Sequence, residues 1–213
     1  MSIGKKLLGK EQSKYEDDLI LVNRAIGGDT KAFEQIVKQY KPMMAKVTIG
    51  MVGNREDAED IGQEAFIRFY RSLHQYKGDA SLGTYLTRIA INLSLNELKR
   101  RKSNLQVSLE TKHESGYSDR RSFQKRDNSE LVQEALSHLE TKYRSVVVLR
   151  LMQGFSTKET AKILKIPSGT VLSRLARGQD RLRQIVKSLE SLTPVGGQTI
   201  EKSNTLNIEI NHD

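Results

Sequence analysis

Three groups of side chains in this sequence are spaced for recognition chemistry. The first is Ser168, Thr170, Leu172, Ser173, Arg174 and Arg177. On a helical wheel of about 100° per residue, Val171, Leu175, Gly178, Leu182 and Leu189 take one face and turn this set outward. Guanidinium groups can grip guanine bidentately, hydroxyls can reach base edges, and a helix N-terminus favours phosphate. From 165 to 187 six basic residues face one acid, Asp180. The second group is opposite in sign: residues 54–66 carry one basic and five acidic side chains. Asp60, Gln63, Glu64 and Ile67 recur there at i, i+3, i+4 and i+7, which suits either a protein-docking face or a solvated acidic face with one incidental Ile. The third joins Gln75, Tyr76 and Lys77, in a stretch read as a loop, to Tyr85, Arg88 and Asn92 on the following helix. A tyrosine beside Arg and Asn can stack on an unpaired base and hydrogen-bond around it; the competing reading is a set of helix-packing polar residues.

Other chemistries find little support. The 213 residues include no Cys, which excludes disulfides, thiol nucleophiles and cysteine metal sites and fits a reducing compartment. The four His are scattered, so no catalytic residue, metal ligand set or cofactor is assigned. The carboxylates at 57, 59, 60 and 64 could in principle hold magnesium for a helical hydrolase, yet no Gly-rich phosphate loop or nucleophile accompanies them. The balance of 35 Lys+Arg against 26 Asp+Glu, net +9, favours an anionic partner. No apolar run approaches the roughly 18 residues of a membrane span. The N-terminus lacks a signal-peptide core, so membrane insertion is not expected and the chain is read as cytoplasmic.

The elements that must hold these groups read as helices throughout, with no alternating strand pattern, so an all-α fold is predicted. An extension at 1–17 precedes a helical domain at 18–102. There Asp29 or Thr30 caps a first run to Tyr40, Pro42 lies in or just ahead of a second run at 43–52, a third spans 54–73, and Ser81 caps a fourth. A basic segment at 103–128 reads as a flexible linker, either a tether or an arm that follows phosphate. A second domain spans 129–192, and a tail at 193–213 is read as disordered. In the second domain Ser156 and Glu159 form a capping-box pattern, Ile166-Pro167 stops a short helix, and Ser168 caps the next. Two helices joined by such a turn make a helix-turn-helix. The architecture expected is two small helical domains joined by a flexible basic linker.

Gly28-Asp29 with Ala32-Phe33, the run Asp57 to Phe66, the run Thr84 to Asn92 and the run Gly169 to Leu175 occur in this order. Together they resemble bacterial RNA polymerase sigma factors of the extracytoplasmic-function type. The resemblance implies a factor that binds core RNA polymerase, directs it to promoters and helps open them. Asp60, Gln63, Glu64 and Ile67 would dock on the polymerase clamp. Gln75, Tyr76, Lys77, Tyr85, Arg88 and Asn92 would face the start-site-proximal element, as duplex and as melted strand. Ser168, Thr170, Leu172, Ser173, Arg174 and Arg177 would read the upstream element. It also leaves room for an anti-sigma factor that holds the chain at the membrane. Tyr85 stands where the family usually has Trp, and Gly178-Gln179 where it usually continues Ala-Arg. A stand-alone helix-turn-helix regulator remains the alternative, although it leaves the Asp60 to Ile67 face idle.

Overall fold

Caps encoded locally set many of the helix ends. The computed structural model describes residues 3–111 and 128–191, helical with no strand among the described residues. Helix α1 spans Ile3–Ile26, and α2 spans Thr30–Val52. Asp29 starts α2 by accepting from the Ala32 amide at 3.1 Å, and Gly53 ends it in the left-handed region at φ 76°. In α3, Arg55–Arg71, Asn54 accepts from the amides of Glu56 and Asp57. Acids in its first turn and Arg68 and Arg71 in its last complement the helix dipole. A 3₁₀ turn at Leu73–Gln75 and a short loop lead to α4, Leu82–Thr111, where the Ser81 hydroxyl accepts from the Thr84 amide.

The second half holds α5 (Asn128–His138), α6 (Thr141–Val147) with a π-helical turn at Val148–Met152, α7 (Thr157–Leu164) and α8 (Ser168–Ser191). The expected capping box is present on α7: Ser156 Oγ accepts from the Glu159 amide at 3.2 Å, and Glu159 Oε2 accepts from the Ser156 amide at 2.8 Å. Lys165, at φ 54°, turns the chain out of α7, and α8 begins three residues later.

Four local expectations are corrected. Pro42 does not separate two helices: α2 runs through it, held by Tyr40, Met44 and Val47 packing into the core on either side. The boundary at 17/18 falls inside α1, which is unbroken. The fourth helix continues nine residues past 102, into the expected linker. Just ahead of this extension Glu97 binds Arg100 and Arg101, and Arg101 also donates to the Val52 carbonyl and to Asp57. Ser168 is the first residue of α8 rather than its cap; the opening bond runs from the Val171 amide to the Pro167 carbonyl. The expected mobility of the linker and the disorder of the tail lie at 112–127 and 192–213, outside the described residues.

Helices α1 to α4 enclose a core with Ile36, Met44, Val47, Phe69, Leu82, Leu86 and Ile91 fully buried. The second half packs directly on it, and one apolar cluster continues from Phe69 through Val148 and Leu149 to Ile163. Gly50 lets α2 approach the π-helical turn: a Cβ there would lie 3.1 Å from Val148. Arg144, 7% exposed, donates to the carbonyls of Met51, Leu139 and Ser137, closing the C-terminal ends of α2 and α5. Burial lowers the pKa of this guanidinium, and the nearby Arg101 charge adds to the effect.

Candidate functional site

The acidic face lies on the side of α3 turned away from the core. Ala58, Ile61, Ala65 and Phe69 are buried beneath it, as the helical period requires. Asp60, Gln63 and Ile67 are exposed and Glu64 is half-buried; Ile67 keeps 45% of its surface in solvent. Glu64 receives a 2.7 Å bond from Arg68. A shallow groove beside these residues is completed from α4 by Leu93, Asn96 and Glu97. Hydrogen bonds from Arg100, then from Arg101, hold the Glu97 carboxyl below its ordinary pKa, so it stays charged at the rim. The sequence reading left out this α4 wall, along with exposed Tyr70 one turn beyond Ile67. The i, i+3 spacing of Ile67 and Tyr70 was the available signal.

The loop and α4 residues are brought together differently from the expected open stripe. Tyr76 is buried, with its ring edge-on to Phe69 and to Tyr85 at centroid distances of 6.4 and 5.2 Å. Its hydroxyl donates to the Ala80 carbonyl at 2.8 Å, and burial pushes its pKa up, which keeps the proton on the donor. Tyr76 therefore shapes the loop from beneath and does not offer a free ring. Tyr85 and Arg88 are half-buried, with the Arg88 guanidinium 5.4 Å from the centre of the Tyr85 ring, a cation–π pair. Gln75, Lys77 and Asn92 are exposed.

The helix-turn-helix group lies along the first turns of α8. Ser168, Leu172, Ser173 and Arg177 are exposed along α8, while Thr170 and Arg174 are half-buried. Val171 is fully buried beneath them. The Ser173 hydroxyl turns back to the Thr170 carbonyl at 3.1 Å. Gly178 has a packing role: a Cβ there would lie 2.9 Å from Val147 Cγ2 and 3.4 Å from Tyr143 Cβ, so its absence lets α8 lie close against α6. Lys158, Lys162 and Lys165, not singled out from sequence, form an exposed row beside Ser168 at the helix-turn-helix turn. Their spacing of four and three residues along one short helix and its C-cap was the missed signal.

Among the described residues these features make a helical protein in which a helix-turn-helix is joined to an acidic, partly apolar face of α3. Residues 36–104 match the Sigma-70 region 2 family and residues 129–182 match Sigma-70 region 4. The chain is 34% identical over 173 residues to the extracytoplasmic-function RNA polymerase sigma factor SigW of Bacillus subtilis, covering 76% of this chain and 92% of that protein. It is 31% identical over 188 residues to the sigma-E factor of Escherichia coli K12, covering 83% and 98%. In fold it is similar to the sigma factor RpoE of Bartonella quintana solved with the anti-sigma factor NepR (TM-score 0.61, 24% identity, 74% of this chain and 98% of that one). CnrH, solved with the cytosolic domain of CnrY, is similar to the same degree (TM-score 0.61, 23% identity, 81% and 98%). The chain belongs to the extracytoplasmic-function sigma factors, which direct RNA polymerase to promoters.

Proposed function

We propose that α3 and its α4 wall form the polymerase-docking surface of this sigma factor. Asp60, Gln63, Glu64 and Ile67 would make the contact, and Glu97 would extend it. The observation that carries this reading is the acidic face itself: carboxylates at 56, 57, 59, 60 and 64 lead up to an exposed Ile67 in a chain of net charge +9. Such a face repels DNA phosphate and suits a basic, partly apolar protein partner. At the other end, Thr170, Arg174 and Arg177 read the upstream promoter element in the major groove, with Ser168, Leu172 and Ser173 beside them. Lys158, Lys162 and Lys165 set the register on the phosphates. The loop tip, Gln75 and Lys77, with Tyr85, Arg88 and Asn92, engages the start-site-proximal element and holds unstacked bases once the duplex opens.

The chain contributes binding only, and the polymerase performs the bond chemistry, in the cytoplasm. No helix among the described residues is long and apolar enough to cross a membrane. An anti-sigma factor is proposed as a regulatory partner, by extension from the Bartonella quintana neighbour.

The test is a charge reversal. Glu64→Lys should weaken binding to core polymerase on the order of a hundredfold, as removal of a central interface charge does. Binding of the free chain to promoter duplex should not change. Unchanged polymerase affinity would remove α3 from the interface.

A further inference from the structure

The loop assigned to strand capture is held by contacts both within it and from α1. Two tyrosine hydroxyls donate to its backbone: Tyr76, from within the loop, to the Ala80 carbonyl, and Tyr15, from α1, to the Gly78 carbonyl. Gly78 takes φ +76°, a conformation open to glycine. A Cβ at that position would lie 2.7 Å from the Tyr15 hydroxyl oxygen and 3.1 Å from Leu19 Cδ2, so α1 presses directly on the loop. Helix α1 is itself pinned. Asp18, 2% exposed, accepts from Tyr40 at 2.5 Å and from Gln39 at 3.1 Å, both on α2. The loop is thereby clamped from two sides while Gln75, Lys77 and Asp79 remain exposed at its tip. Helix α1 lies ahead of residue 36, where the region 2 match begins.

We propose that α1 is the positioning element of the strand-capture loop, with Tyr15 as its positioning residue. Tyr15 touches no base. It holds the Gly78 carbonyl so that the loop tip is already shaped for the opened strand, which removes an ordering cost from the opening step. This rests on the proposed promoter-facing role of the loop.

The experiment uses the full chain reconstituted with core polymerase, on a promoter recovered from genomic fragments with the wild-type holoenzyme. Opening is followed by 2-aminopurine fluorescence in the melted segment. Tyr15→Phe removes only the hydroxyl. It should slow opening about three- to tenfold, the worth of one hydrogen bond, with affinity for core polymerase unchanged. The double variant Gln75→Ala/Lys77→Ala should also slow opening, and adding Tyr15→Phe to it should cost nothing more, because the hydroxyl acts through the tip. Wild-type opening by Tyr15→Phe, with the tip variant impaired, would overturn the role of α1 alone. Equal losses in opening and polymerase affinity would reduce Tyr15 to a structural contact. Wild-type opening by the tip variant would overturn the underlying reading of the loop, and this inference with it.

Discussion

The two regions proposed to face the promoter are built on opposite principles. The upstream reader is assembled almost entirely by local rules: the Ser156/Glu159 capping box starts α7, Lys165 turns the chain, and a single apolar stripe through Val171 seats α8. The start-site-proximal loop is assembled by distant ones. Its backbone is tied to Tyr15, 63 residues away, and its floor is an aromatic cluster drawn from α3, α4 and the loop itself. A rigid duplex can be read by a helix that is finished before binding. A strand that must be opened and held favours a loop already fixed by its surroundings, because any ordering left to the binding step weakens the capture. Substitutions in the first region should therefore act on discrimination or on the stability of that half, and those around the second on opening.

The largest effect expected within this comparison is at Arg177. Arg177→Ala should cost about 1–3 kcal/mol of discrimination at the upstream element if the guanidinium contacts a base. Competition binding with altered upstream sequences would show it, and opening on a fixed promoter should change only through binding. Next comes Gly178→Ala. Alanine gains about 1 kcal/mol of helix propensity, yet its Cβ would meet Val147 at 2.9 Å, backed by Tyr143 Cβ. Overpacking of that kind costs about 1–3 kcal/mol. A net loss in thermal stability is expected, and a gain would show that α6 and α8 part without penalty. The smallest effect is the cap: Ser156→Ala should destabilise by about 1 kcal/mol, read as a drop in the urea midpoint. If it also slowed opening at saturating promoter, the separation of the two regions would fail.

The same contrast decides what could be read from sequence. The helix-turn-helix was legible because its signals are adjacent: Ser156 with Glu159, then Ile166-Pro167, then an apolar period of about 3.6. The acidic face was legible for the same reason, through the i, i+3, i+4, i+7 spacing of Asp60 to Ile67. The role of Tyr76 was misread because its partners, Phe69 and Tyr85, meet it only in the folded chain. Tyr15 carried no signal at all within a stretch taken as an extension. Arg144 was invisible too. A charged residue is ordinarily solvated, and nothing adjacent shows that Met51, 93 residues away, offers it a carbonyl. Pro42 misled in the other direction, since a local breaker was overridden by packing on both flanks.

One chain is proposed to engage polymerase and two promoter elements together. The most direct measurement is a footprint of the reconstituted holoenzyme on a linear promoter, with permanganate reactivity read on the same DNA. Two separated protected segments are predicted, with reactive thymines in the downstream one, and neither the downstream protection nor the reactivity should appear with the chain or the polymerase alone. A single upstream footprint, identical with and without polymerase and lacking reactive thymines, would contradict the account and leave a free-standing helix-turn-helix in its place.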